Sequence, residues 1–422
     1  MTSRLAVIAV SAVVIAMASI SWILFLIPED FHGLLGLGRE GADVFGRALF
    51  GEPPAAIATE PFKLGLRVAL LGAWAAWIVA VSAIHARFQI RPAALYGGGA
   101  CLVVVLAVLM PPVLSRDAFG YVGYGNLAAA DLNPYIFGNR AAMEALGDPL
   151  ARFFVRDTPL GYGPGWAALA MGLSAVGARE GLFAQALLHK LVAALALLLA
   201  AEGAARLASG ATVKLRTSTF LAVVLNPLLL VEGQGMGHND LLMLAFMVWA
   251  AVLAVRHRWI GGAALMGFAC AVKPIAATAV PLFLVASWVR ERNLARLSIQ
   301  AIATAVPFLA VSFLFGGPAL VLRATSGQVN PGGGIGLFAV AAVMALGAGV
   351  WSVFRARADA SAWLPGWVPT AAVLLLFGTQ YRFPWYACWL VLPALTGWSE
   401  KHRILLTGSS AIAVLLSWLY TI

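Results

Sequence analysis

The chain has 422 residues, with 28 Lys and Arg against 18 Asp and Glu, for a formal net charge of +10. Hydrophobic residues make up 62% and charged residues only 11%, where a soluble domain carries about 25% charged residues. A water-soluble globular domain is excluded, and so is a nucleic-acid-binding reading of the positive charge: the basic residues sit in short loops between apolar runs, where they mark the cytoplasmic side of a membrane and meet anionic lipid. The apolar runs are about 17–25 residues long, the length that crosses a ~30 Å hydrocarbon core. The fold class read from this pattern is all-α: a polytopic transmembrane helix bundle of roughly a dozen membrane-inserted helices, organised as one membrane domain over 1–422.

In chain order, Leu5 to Ile27 is too long for the apolar region of a signal peptide and reads as a retained first span. Arg4 before it places the N-terminus inside. A mixed-charge loop from Pro28 to Lys63, with Glu29, Asp30, Glu40, Asp43, Glu52 and Glu60, falls outside. A span over 64–84 returns to the basic loop from His85 to Arg91, and a span over 93–113 delivers Ser115-Arg116-Asp117 to the outer face. Residues 115–162 are the longest stretch that is not a plain apolar run; Asn133-Pro134-Tyr135 and Asp157-Thr158-Pro159 read as turns, with short amphipathic helices on the outer membrane surface between them. Parity requires 163–178 to dip in and return, and 181–207 to cross. A span over 217–231 ends outside at the segment from Glu232 to Asp240, and the next returns to Arg256-His257-Arg258. The run 259–289 is too long for one span and breaks at Lys273-Pro274, which predicts two short helices in a hairpin lining a cavity. Further spans are predicted at 297–315, 335–354, 363–378, 384–398 and 403–421. Cys101, Cys270 and Cys388 all lie in apolar segments, which predicts buried thiols and no disulfide.

The polar groups are unevenly shared between the two faces. Outward segments collect Arg116, Asp117, Arg156, Asp157, His238, Asp240 and Arg382, whereas inward loops are dominated by Lys and Arg. Carboxylates near lipid are costly, about 2.5–3.5 kcal/mol or more at depth, so several on one face point to a cavity opening outward. Asp117 follows a membrane exit directly and can take a proton from a sugar hydroxyl; an ion pair with Arg116 is the other reading. Gly237-His238-Asn239-Asp240 opens a span with three side chains able to bind or relay protons, although Asp240 also suits a helix dipole. No second ligand follows at metal spacing, so no metal site is predicted. Lys273 lies in apolar sequence beside a helix breaker and calls for an anion such as a lipid phosphate, a buried partner, or a path for its ammonium to the interface. Arg382, between Tyr381 and Phe383, can clamp a phosphate or anchor an interface. Tyr162 and Trp385-Tyr386 can stack on sugar faces or belong to an interfacial aromatic belt.

Ser115-Arg116-Asp117, Asn133-Pro134-Tyr135, Arg156-Asp157-Thr158-Pro159 with Tyr162-Gly163-Pro164, Gly237-His238-Asn239-Asp240 and Val272-Lys273-Pro274 occur in that order. This set resembles the polyprenol-phosphate-mannose-dependent alpha-1,6-mannosyltransferases of the GT-C glycosyltransferase superfamily, over nearly all of the chain. The resemblance implies transfer of a hexose, mannose foremost, from a polyprenyl-phosphate donor to a glycolipid or glycan hydroxyl. The reaction inverts the anomeric centre and takes place on the periplasmic, extracytoplasmic side of a bacterial cytoplasmic membrane. It implies a base in an early outward loop, the place Asp117 occupies, with Asp43 and Asp157 as rivals. Lys273 and Arg382 would hold the donor phosphate, while Arg116, Asp157, Tyr162, His238, Asn239 and Asp240 would contact substrate. No cofactor and no metal are implied, because Lys and Arg can neutralise a monoester leaving group. The rival functions are a transporter or flippase of lipid-linked sugars, which broken helices and a buried Lys also suit, and a ligase joining lipid-linked glycans.

Overall fold

The computed structural model describes residues 2–29, 39–86, 92–148, 150–151, 158–208, 213–326, 335–357, 359–378 and 384–396. The regular elements among those residues are all helical, with no strand among them. In chain order the helices are α1 (Thr2–Phe25), α2 (Arg39–Phe50), α3 (Thr59–Ala86), α4 (Pro92–Leu109), α5 (Asp117–Ala129), α6 (Asn139–Ala145) and α7 (Pro164–Gly177). They continue as α8 (Gly181–Leu207), α9 (Val213–Val224), α10 (Asp240–Val255), α11 (Trp259–Val272), α12 (Val280–Glu291), α13 (Leu294–Ser312) and α14 (Pro318–Ser326). The last are α15 (Ile335–Arg355), α16 (Trp363–Gly366), α17 (Val368–Val373) and α18 (Cys388–Leu395). The predicted span over 403–421 lies outside the described residues.

By length and composition, four helices among the described residues are long and apolar enough to cross a membrane, within α1, α3, α8 and the stretch Leu294–Phe315. A bent pair, Leu215–Val224 with Leu229–Gly235, makes a fifth, and six further apolar helices are shorter. Several of these helices turn large apolar side chains outward, among them Ile8, Ile15, Phe313, Val343 and Trp351. Water would penalise such surfaces, which suit a lipid solvent. The chain is a multi-pass membrane protein.

Two compact units emerge. Residues up to Val122, with Leu173–Leu241, form the first; Gly123–Gly172, with the described residues from Leu242 onward, form the second. In the first, α1 lies along α3, α4 packs on α8 and α9, and α8 packs on α9. The bend after α9 has a local cause. Asn226 Oδ1 accepts from the N–H groups of Leu228 and Leu229, at 3.1 and 3.2 Å, and Pro227 cannot continue the helical ladder. The chain restarts as a π-turn, Leu229–Gly235, at 59° to α9.

In the second unit, α11 packs along α13 and α12 along α15. The helix contact between α11 and α13 is close because Gly267 has no side chain: a Cβ there would stand 2.3 Å from the Thr304 carbonyl oxygen. Asn293 caps α13 by accepting from the Arg296 N–H at 3.0 Å. The predicted break at Lys273-Pro274 is present. Lys273 is extended (φ −145°, ψ 113°), as a residue before proline prefers, and a 3₁₀ turn, Pro274–Ala279, leads into α12.

Two details differ from the sequence reading. The mixed-charge loop contains α2, an amphipathic helix that buries Ala42 and Phe45 and carries Glu40 and Asp43. Cys101, predicted as a buried thiol, is exposed, whereas Cys270 and Cys388 are buried; between the two predicted turns lies the short helix α6, and α5, before the first of them, is buried along almost its whole length, Phe119 and Tyr121 included.

Candidate active site

The first unit brings Asp117, His238 and Asn239 together. Asp117 stands in the first turn of α5, where a carboxylate is favoured by the helix dipole. Its N–H donates to Ser115 Oγ at 3.2 Å, so Ser115 caps the turn. His238 Nδ1 lies 3.1 Å from Asp117 Oδ2, and the Tyr121 hydroxyl donates to the same oxygen at 3.2 Å. An ionised carboxylate only accepts, so the imidazole proton of this contact belongs to Nδ1. The Asn239 N–H reaches the Tyr121 hydroxyl at 3.5 Å. The histidine side chain is sealed, at 0% exposure, while that of Asp117 retains 17%. The carboxylate is therefore the accessible member of the pair, with the imidazole holding it from behind.

Local backbone shape places His238. Gly237 has φ 74°, a left-handed conformation that favours glycine, and the His238 N–H then returns to the Gly233 carbonyl at 2.8 Å. Asp240 starts α10 and is fully buried. Arg116 is half-buried beside Asp117; burial lowers its pKa below the ordinary guanidinium value and nearby Glu40 opposes that shift. The rival carboxylate Asp43 is engaged along α2 by Arg39, with Nε 2.7 Å from Oδ1.

The second unit holds Lys273 and Tyr162. The Lys273 ammonium stands 5.6 Å from the Tyr162 ring, 4.8 Å from Tyr386 and 5.5 Å from Trp389. Tyr386 and Trp389 stack with centroids 4.4 Å apart. The sequence reading offered an anion, a buried partner or a path to the interface for this lysine; three aromatic faces stand near it, each attracting a cation electrostatically. Tyr135, of the Asn-Pro-Tyr turn, donates its hydroxyl to the Tyr162 carbonyl at 2.9 Å, and burial pushes its pKa up, so it stays a neutral donor. Tyr135→Phe would leave that carbonyl without this donor and should cost about 1–2 kcal/mol, read as a lower thermal midpoint in detergent.

Asp157 and Arg382, also singled out in the sequence, lie outside the described residues. The sequence reading passed over Lys190, which is fully buried in α8. Its signal was present: a lysine inside a long apolar helix is a candidate functional residue on cost alone.

Comparison with known proteins follows the same lines. Residues 49–290 match a family model described as "Alpha-(1->6)-mannopyranosyltransferase, N-terminal domain". That stretch contains Asp117, Tyr162, His238 and Lys273, and excludes Asp43 and Arg382. The chain is similar to alpha-(1->6)-mannopyranosyltransferase A of Mycobacterium tuberculosis, with 28% identity over 368 residues, covering 76% of this chain and 68% of that protein. It is also similar to alpha-(1->6)-mannopyranosyltransferase B of Corynebacterium glutamicum, with 28% identity over 154 residues, 35% of this chain and 25% of that protein. No solved structure matches it.

Proposed function

We propose that this chain, which belongs to the alpha-(1->6)-mannopyranosyltransferase family, takes mannose from a polyprenyl-phosphate donor and passes it to a glycolipid or glycan hydroxyl. The chain is a glycosyltransferase, and the names of its relatives support mannosyl transfer. The finer steps are our reading. Asp117 is the general base. The acceptor oxygen attacks the anomeric carbon, its proton passes to the Asp117 carboxylate, and the bond from anomeric carbon to phosphate oxygen breaks with inversion. The leaving group is a polyprenyl monophosphate, and the aspartic acid returns its proton to water.

The observation that carries this reading is the accessible Asp117 carboxylate, with His238 and Tyr121 both on Oδ2. Those contacts fix its orientation, and orientation is what a base needs before its pKa matters. Arg116, Asn239 and Asp240 support this centre. Lys273 and Arg382 keep, in this proposal, the phosphate-binding role read from the sequence, and Tyr162 offers a ring for a sugar face. The reaction belongs to the outer face of a bacterial cytoplasmic membrane, since the polar segments cluster on the side opposite the basic loops.

The test uses sealed membrane vesicles of both orientations containing the chain, supplied with radiolabelled mannosyl-phospho-polyprenol in EDTA. We expect label to reach a glycolipid or glycan only where the outer face is exposed to the donor. Nucleotide-linked mannose alone should give none. Movement of donor across the bilayer without any transfer would overturn the proposal in favour of a flippase.

A further inference from the structure

We infer that Lys190, in the first unit, binds the phosphate group of a polyprenyl monophosphate. The inference rests on the function proposed above for the identity of the anion, and adds a residue that neither the sequence motifs nor the family resemblance had singled out.

Lys190 lies well inside α8 with 0% exposure. Its ammonium donates to the Met110 backbone carbonyl and stands 4.6 Å from the Phe45 ring. Among the described residues no carboxylate lies within ion-pair distance of it. Glu232, buried on the π-turn, forms no ion pair with it. An ammonium has three N–H donors, and one carbonyl with one ring leaves donors and charge for a ligand. A Met or Leu would fill this helix position without desolvating a charge, so the lysine needs a reason of its own.

The surrounding chain is moulded to it. At Gly237 a Cβ would stand 3.2 Å from Lys190 Cγ and 3.4 Å from the Ala118 Cβ. The turn that presents His238 thus rests on the lysine stem, next to the residue that follows Asp117. Within the same turn the Gly237 N–H donates to the Gln234 carbonyl at 3.1 Å. The Gln234 side chain is fully buried, and neither Oε1 nor Nε2 has a hydrogen-bond partner. A buried carboxamide left in that state calls for a ligand as much as the lysine does.

Phosphate answers the lysine, because its oxygens accept from an ammonium with charge assistance. In the proposed reaction the phosphate rises from one negative charge to two as the sugar departs, and a buried, preorganised cation counts most against charge that develops there. His189 is already engaged with the Gln185 carbonyl at 2.9 Å and has no part in this.

The experiment measures binding rather than turnover, so a chain that failed to transfer mannose would sink the function proposed above without deciding this point. The full chain in lipid nanodiscs is titrated with polyprenyl monophosphate, with the unphosphorylated polyprenol and with inorganic phosphate. Lys190→Met should weaken polyprenyl monophosphate binding about 10- to 100-fold, leave polyprenol binding unchanged, and be largely rescued by Lys190→Arg. Gln234→Leu should weaken it less. Competition by inorganic phosphate, lost in Lys190→Met, would show that the headgroup suffices; a loss confined to the lipid phosphate would show that the chain is needed for entry. Wild-type affinity for polyprenyl monophosphate in Lys190→Met, or in Lys190→Gln should the first variant not fold, would overturn the inference.

Discussion

Asp117→Asn should slow mannosyl transfer by about 10²- to 10⁴-fold while leaving the fold intact. Asparagine keeps the shape of the side chain and can still accept from the Tyr121 hydroxyl and from His238 Nδ1, the two groups now 3.2 and 3.1 Å from Oδ2. What it cannot do is take a proton at neutral pH, so a fall in rate at unchanged thermal stability reads the base alone. The histidine gives the contrast. His238→Gln removes the imidazole behind the carboxylate but leaves the carboxylate itself, so it should cost less than the asparagine substitution. Rates are compared at saturating donor and acceptor in one detergent. Equal rates for wild type and Asp117→Asn would remove Asp117 as the base. Asp43 would then be the next carboxylate to test, although its pairing with Arg39 on α2 already spends part of its charge.

The sequence was most legible where cost and local geometry coincide. Pro274 forced the break after α11, and the extended Lys273 follows from it. Ser115-Arg116-Asp117 at the end of an apolar run likewise became a capped helix start. Legibility failed where the deciding partner is remote in sequence. Nothing around Lys273 announces that Tyr386 and Trp389 will stand over it. The helix α2 escaped because its charges read as a loop, whereas their spacing leaves Ala42 and Phe45 on one buried face. Lys190 was overlooked because mean hydropathy dilutes one charge in the apolar middle of a long helix, yet that charge is the informative residue.

Gly163→Ala should destabilise the second unit by about 1–3 kcal/mol or more, the usual cost of overpacking, and should do so through backbone rather than side-chain conflict. A Cβ at this position would lie 2.1 Å from the Ala271 carbonyl oxygen and 3.0 Å from that of Cys270. Neither atom is the end of a flexible side chain; both belong to the last turn of α11. Gly163 also donates its N–H to the Val272 carbonyl at 3.0 Å, so the methyl group cannot be accommodated by drawing the two chains apart without losing that bond. Gly165 repeats the constraint more gently, with a Cβ 3.0 Å from the Ala271 Cβ. The control lies in the helix that follows, α7: a Cβ at Gly172 meets nothing within 4 Å, so Gly172→Ala should be neutral or slightly stabilising through helix propensity. Thermal midpoints of the two variants in one detergent separate the effects. Because Tyr162 precedes the clash and Lys273 follows Val272, any shift that relieves it moves the tyrosine ring relative to the ammonium. Gly163→Ala should therefore lose transfer activity even at temperatures where it remains folded. A variant with wild-type stability and wild-type transfer would mean that the close approach of these two segments is not a feature of the working protein.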